Sequence, residues 1–379
     1  MNRELTPFNI KSTLKKLLWL LPGPVFYVLF RLSFLWPSFT EAVYSRTIFP
    51  VIAQGLSTAT GLLPFSLAEL LLYAFILFIA VYLILMIVQS IRAKKKWWQE
   101  LLNRFIVLLS VASMIYALFV GLWGFNYARQ PLSSTLELNA YPATVNELYS
   151  TSEALVGQAN ALRSLVPENE NGVFTPALSR TDIMKRIPVE YNNAATQSGH
   201  SFLGGSFGRV KPVLYSEGMS WSYLCGIYFP FTAEANANVD APLLLFASSA
   251  AHEAAHQRGF AREDEANFLA YYVLSYSDEY AMRYSGTMLA LIHAMNALYG
   301  ADSDKYFELR KEYADGLNRD LSANSSFWQQ YESEVSETVQ EVNNTYLMAN
   351  MQQDGVKSYG RMTDLLIALW RSGGITTVE

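Results

Sequence analysis

Residues 240–276 read DAPLLLFASSAAHEAAHQRGFAREDEANFLAYYVLSY, and this stretch decides the fold around it. Asp240 can accept orphan amide hydrogen bonds and Pro242 suits a first helical turn, so a helix is expected to begin here and run to about Arg258. Gly259 permits a left-handed cap and a sharp turn, and a second helix is expected over Glu263–Tyr276. Within the first helix, His252-Glu253-Ala254-Ala255-His256 is an HExxH motif whose spacing places both imidazoles on one face, about a turn apart. Two such ligands can converge on one zinc ion. Glu253 projects beside them, where a carboxylate can take the proton of a zinc-activated water as it attacks a carbonyl. The chain has four histidines, and random placement produces this pattern on the order of once in a thousand cases.

A catalytic zinc needs a third protein ligand and one open position. Glu263 is the first choice, because on a helix it shares a face with Asn267, whose amide one turn later can support a ligand histidine. Glu265 is the alternative third ligand; its face is rotated from that of Glu263, so only one of the two can point at the metal. Asp264 reads as part of a solvated, acidic helix start. Candidate oxyanion donors are Tyr271, Tyr272 and His293, each of which reads more simply as a core residue.

The rest of the chain places this site beside a lipid bilayer. Of 379 residues, 51% are hydrophobic and only 16% charged, too apolar for an ordinary soluble protein of this length. Leu70–Ile91 and Phe105–Ala128 carry no charge, and each exceeds the roughly 20 residues that span a hydrocarbon core. Leu17–Trp36 is expected to be a further span, although Pro22, Pro24 and Arg31 interrupt it. Three transmembrane helices (17–36, 70–91, 105–128) thus form an anchor over residues 1–128. Arg92, Lys94, Lys95, Lys96 and Arg104 make a basic loop expected in the cytoplasm, as are Arg3, Lys11, Lys15 and Lys16. Residues 129–379 then form an extracytoplasmic domain. The net charge of -5 offers no basic field for nucleic acid, which is excluded as a partner. A lone cysteine, Cys225, cannot form an intramolecular disulfide.

This outer domain is expected to be mainly α with a small β-sheet. Helices are expected over Val145–Leu165, around Leu289–Leu298, over Tyr306–Leu317 and over Phe327–Asn350, the last packing through Val335, Val339 and Leu347. Gly199, Gly204, Gly205 and Gly208 mark a loop with no phosphate-cradling pattern. Gly226–Thr232 reads as a strand that Pro230 restricts to a sheet edge, where a peptide could add as a further strand. Glu234, Asn236 and Asn238 either line the cleft or cap the next helix.

HExxH followed by Glu263-Asp264-Glu265-Ala266-Asn267 resembles the glutamate-ligand zinc peptidases, or gluzincins, in which one helix gives two histidines and the next a glutamate. Over nearly its full length the chain resembles a bacterial family of membrane-anchored proteins of zinc-peptidase type, known mainly as a domain of unknown function. The resemblance rests on the basic-looped helices, Gly226–Asn236 and His252–Ala270. It implies an α+β zincin-like domain, a Zn2+ cofactor and a protein or peptide substrate. Two features depart from gluzincins: the gap from His256 to Glu263 is short, and Asn267 stands where many have aspartate. Gly259 is similar to the turn of metzincins, but Arg262 occupies the position of their third histidine and cannot be a ligand. The expected function is a membrane-anchored zinc metallopeptidase with Glu253 as general base. A non-catalytic zinc-containing sensor or a structural membrane protein is the alternative.

Overall fold

The structure, a computed structural model, describes residues 17–350 and 361–375. Arg3, Lys11, Lys15 and Lys16, and the side chain of Val335, lie outside the described residues.

Apolar sequence near the N-terminus folds into α1 (Pro22–Ser33), α2 (Phe49–Gly61), α3 (Leu67–Arg92) and α4 (Trp97–Leu122). A π-helix, Thr40–Ile48, leads into α2. The Lys94–Lys96 turn folds α3 back on α4, and Tyr82 Oη donates to the Arg104 carbonyl at 3.0 Å across the pair. Among the described residues, two helices rather than three are long and apolar enough to cross a membrane, and they are this pair. The expected span Leu17–Trp36 is instead the 12-residue α1. Pro22 opens it, Trp36 leaves helical geometry before Pro37, and about 18 Å of helix falls short of a 30 Å hydrocarbon core. α1 lies along the second half of α4, where Gly23 N donates to Ser113 Oγ at 2.7 Å. Tyr44 Oη then donates to the Gly121 carbonyl at 2.9 Å, near the end of α4.

The chain beyond Arg129 contains α5 (Val145–Arg163), α6 (Arg180–Ser198), a three-stranded sheet, and α7 (Leu243–Gln257), α8 (Glu263–Ser275) and α9 (Tyr280–Ala301). After these come α10 (Asp315–Gln329), α11 (Glu334–Ala349) and α12 (Met362–Arg371). The sheet consists of β1 (Lys211–Pro212), β2 (Gly226–Phe229) and β3 (Glu234–Ala237) in the order β1-β3-β2, parallel then antiparallel. β2 is an edge strand, and it stops before Pro230 because proline cannot donate to a ladder. The domain is thus mainly helical with a small sheet. Its core gathers Leu155, Ile187, Tyr191, Phe246, Phe268, Tyr284 and Leu366 around α7, α8 and α9. A second cluster crosses the Ala128–Arg129 junction: Phe49, Val120, Trp123 and Tyr127 pack with Tyr228, Ala233 and Ala261.

Several local expectations change. Asp240 does not cap α7; its carboxylate accepts from Ser220 Oγ at 2.7 Å and Tyr331 Oη at 2.9 Å, while Pro242 takes the cap position. Tyr306–Leu317 is not one helix, since a helix over Ser303–Arg310 ends before α10 begins at Asp315. Phe327–Asn350 is likewise divided between α10 and α11, with Ser333 capping α11. Glu234 neither lines the cleft nor caps α7. Buried against Lys211, it accepts from the amides of Leu67 at 3.1 Å and Ala68 at 2.6 Å, capping α3.

Candidate metal centre

α7 carries His252, Glu253 and His256, and it ends in a Schellman turn. Gly259 N donates to the His256 carbonyl at 2.8 Å and Phe260 N to the Ala255 carbonyl at 3.1 Å. Gly259 has φ +86°, and a Cβ there would meet the Phe49 ring at 2.9 Å, so both backbone and space demand glycine. The turn brings the Phe260 carbonyl back onto His256 Nδ1 at 2.7 Å. A carbonyl only accepts, so this nitrogen carries a proton, and Nε2 is the nitrogen that can give up its own to hold a metal. His252 Nδ1 is held in the same way by Asn267 Oδ1 at 2.9 Å, from α8.

With both Nδ1 atoms engaged, the two Nε2 atoms face one point. Glu263, at the start of α8, meets them there: Oε2 is 3.1 Å from His252 Nε2 and Oε1 is 3.6 Å from His256 Nε2. One ligand atom from each of His252, His256 and Glu263 lies within 4.8 Å of the others. Tetrahedral ligands about 2.05 Å from zinc sit about 3.3 Å apart, and the contacts from Glu263 to the two Nε2 atoms lie near that spacing. Burial alone would depress the His256 imidazole, but the Glu263 carboxylate beside it raises it to about 9. Burial would likewise raise Glu263, yet the two imidazoles hold its carboxyl well below the usual range. A half-buried carboxylate between two imidazoles is an electrostatic environment that favours a cation.

Glu265 is turned away from this point. Its Oε1 accepts from Leu132 N at 2.7 Å and Arg262 Nη1 at 2.8 Å. Arg262 also donates to the Arg129 carbonyl at 2.7 Å, and Arg129 donates to the Gly259 carbonyl at 2.8 Å. This chain of contacts fixes how α8 is rotated as it leaves the turn. Tyr271 is drawn to Gln158 at 3.2 Å, Tyr272 stacks on Phe268, and His293 is carried on α9 outside the cluster.

Glu253 is buried, and burial pushes its carboxyl up. It lies directly on the backbone of β2: a Cβ at Gly226 would fall 2.4 Å from Glu253 Cγ and 2.6 Å from Oε1. Burial also pushes the neighbouring Cys225 thiol up to about 11, which leaves it protonated and a poor nucleophile at neutral pH.

Aromatic residues from the end of α4 and from α11 complete the surround. The Trp123 ring stands edge-on to the His256 imidazole, centroids 5.9 Å apart, and packs on Tyr228 of β2 at 4.7 Å. Tyr127 Oη donates to Tyr346 Oη at 3.0 Å, and burial together with the charge of Glu263 raises Tyr346 to about 12. Trp123, Tyr127 and Tyr346 were not expected at the site. The first two read as the aromatic end of an apolar run, and Tyr346 lies on a polar helix far away in sequence.

A family model described as Protein of unknown function (DUF3810) matches residues 44–367. The chain belongs to this family. The family unit therefore includes the apolar α3–α4 pair together with the sheet, α7 and α8, rather than the polar domain alone. No curated protein and no solved structure matches the chain.

Proposed function

We propose that this protein is a membrane-anchored zinc metallopeptidase that hydrolyses peptide bonds with Glu253 as general base. The observation that carries the reading is the convergence of His252 Nε2, His256 Nε2 and the Glu263 carboxylate, with Glu253 beside them on α7. Two imidazoles and one carboxylate form the ligand set of a catalytic zinc, since three protein ligands leave a position open. Zinc held there supplies Lewis-acid polarisation of the scissile carbonyl and of water. Glu253, desolvated against Gly226, takes the proton of the attacking water and passes it to the leaving amine. Asn267 and the Phe260 carbonyl hold the imidazoles in the required tautomer. Tyr346 accepts a hydrogen bond from Tyr127, which keeps its own hydrogen available to donate to the carbonyl oxygen as charge develops there. The edge strand β2 offers backbone pairing to an extended substrate.

α3 and α4 cross the membrane in this reading, and the basic loop between them lies in the cytoplasm. The site is then on the extracytoplasmic side, at the other end of both helices. The test is zinc stoichiometry and hydrolysis of a broad peptide library by the purified full-length protein and by Glu253→Gln. One zinc per chain in both, with hydrolysis only in the wild type, is expected. A zinc-loaded wild type that cleaves nothing overturns the peptidase reading, and a protein that holds no zinc overturns the site.

A further inference from the structure

The site is built onto the ends of the two apolar helices. Trp123, the residue after α4, touches His256. The first amides of α3 are capped by Glu234 of β3, which pairs with β2, and β2 underlies Glu253. Both helix ends are thus bolted to the elements that carry the ligands and the base, so the height of the site above them is fixed. From Phe105, where the uncharged run of α4 begins, to Trp123 is about 27 Å of helix, close to the thickness of a hydrocarbon core. Trp123 then stands at the outer interface, the level that tryptophan favours, and its ring lies against the ligand His256, centroids 5.9 Å apart.

The segment before α3 reinforces this placement. The bonds from Gly23 to Ser113 and from Tyr44 to Gly121 set the segment from α1 to the π-helix along about 12 Å of α4, with the start of α1 at the deeper end, in the outer leaflet. In the segments that follow α1, Leu35, Trp36, Phe39, Ile48, Val51 and Leu62 expose apolar side chains, as suits a segment lying against lipid.

We infer that the substrate is a polypeptide tethered in the same bilayer and cut within a few residues of its own membrane anchor. The inference rests on the peptidase reading and on α3 and α4 as spans. An extended chain rises about 3.3 Å per residue, so about two residues span the 5.9 Å between the Trp123 and His256 rings. Such a chain meets the edge strand β2, whose Ile227 is exposed, without first leaving the surface of the membrane.

The experiment uses the zinc-loaded full-length protein in phospholipid vesicles. A randomised ten-residue segment is offered in four forms: next to a transmembrane helix, next to an acyl chain, forty flexible residues away from the helix, and free in solution. Mass spectrometry reads the cut positions. Cuts at least tenfold faster in either adjacent form support the inference, and the two adjacent forms distinguish a helical from a lipid tether. Equal cutting of the distant or free segment overturns it and leaves the peptidase standing, whereas no cutting in any form overturns both. Depth is read independently of activity on Cys225→Ala, Ile227→Cys carrying a fluorophore at the new thiol. Quenching by headgroup-labelled lipid is expected, and quenching only by aqueous quencher overturns the placement.

Discussion

Gly226 lies so close beneath Glu253 that a single methyl group at the glycine would occupy the space of the carboxylate, 2.4 Å from Cγ. The contact holds Glu253, the proposed base, against the edge strand β2. Gly226→Ala is therefore expected to push Glu253 out of line, and displacements of about 1 Å cost on the order of a hundredfold in rate. Zinc stoichiometry should be unchanged while kcat for a cleaved peptide collapses; a variant with wild-type kcat would show that this packing has no bearing on the base.

Two glutamates two residues apart should behave in opposite ways. Glu263→Gln removes the carboxylate between the imidazoles and should abolish tight zinc binding in a competition titration with a chelating dye. Glu265→Gln should keep zinc yet unfold more readily, because charge-assisted bonds to Leu132 N and Arg262, each worth about 1.5–3 kcal/mol, are weakened. The reverse pattern would make Glu265 the third ligand.

Tyr346→Phe retains the ring and removes only the hydroxyl. If that hydroxyl donates to the developing oxyanion, kcat falls on the order of a hundredfold while KM and zinc content stay in place. An equal rise in KM with no loss of kcat would instead make Tyr346 a binding residue.

Lys211 and Glu234 are each about 1% exposed and close one buried ion pair over the start of α3. Lys211→Met leaves the Glu234 charge without its partner and should cost about 3–5 kcal/mol. Adding Glu234→Gln should restore part of that loss, since it removes the unpaired charge while the amide oxygen still accepts from one of the two α3 amides. Thermal unfolding of the three forms in detergent gives the comparison; full additivity would deny the coupling.

Acid sensitivity should reside partly where α5 meets α12. The Arg371 guanidinium, helped by the Thr144 amide and hydroxyl, holds the Glu147 carboxyl down at about 2 from an ordinary 4.5. A carboxyl depressed in the folded state contributes stability in full above its unfolded value and loses it as pH falls towards the folded one. Between about pH 4.5 and 2 the unfolded chain binds the extra proton, so stability declines across that window. Glu147→Gln should flatten this limb of a pH series of denaturation midpoints, and an unchanged slope would refute the assignment.

The sequence by itself determined what depends on near neighbours. The i,i+4 spacing of His252 and His256, the glycine turn after them, the acidic start of α8 and the two long apolar helices all follow from periodicity, composition and local stereochemistry. Tertiary structure decided whatever turns on distant partners. Which glutamate faces the imidazoles depends on the rotation of α8, set by Arg262 and Arg129 reaching across from the end of α4. Glu234 read as a cleft or cap residue for its own neighbourhood and proved to be the cap of α3, 166 residues away. Leu17–Trp36 had the composition of a span, yet its prolines and its packing on Ser113 shortened the helix. Trp123 looked like the end of an apolar run, and only the packing of β2 and α7 around it placed it against His256. Composition and spacing report the preferences of a segment, whereas a side chain's partners are fixed by how rigid elements dock, and that information is spread over the whole chain.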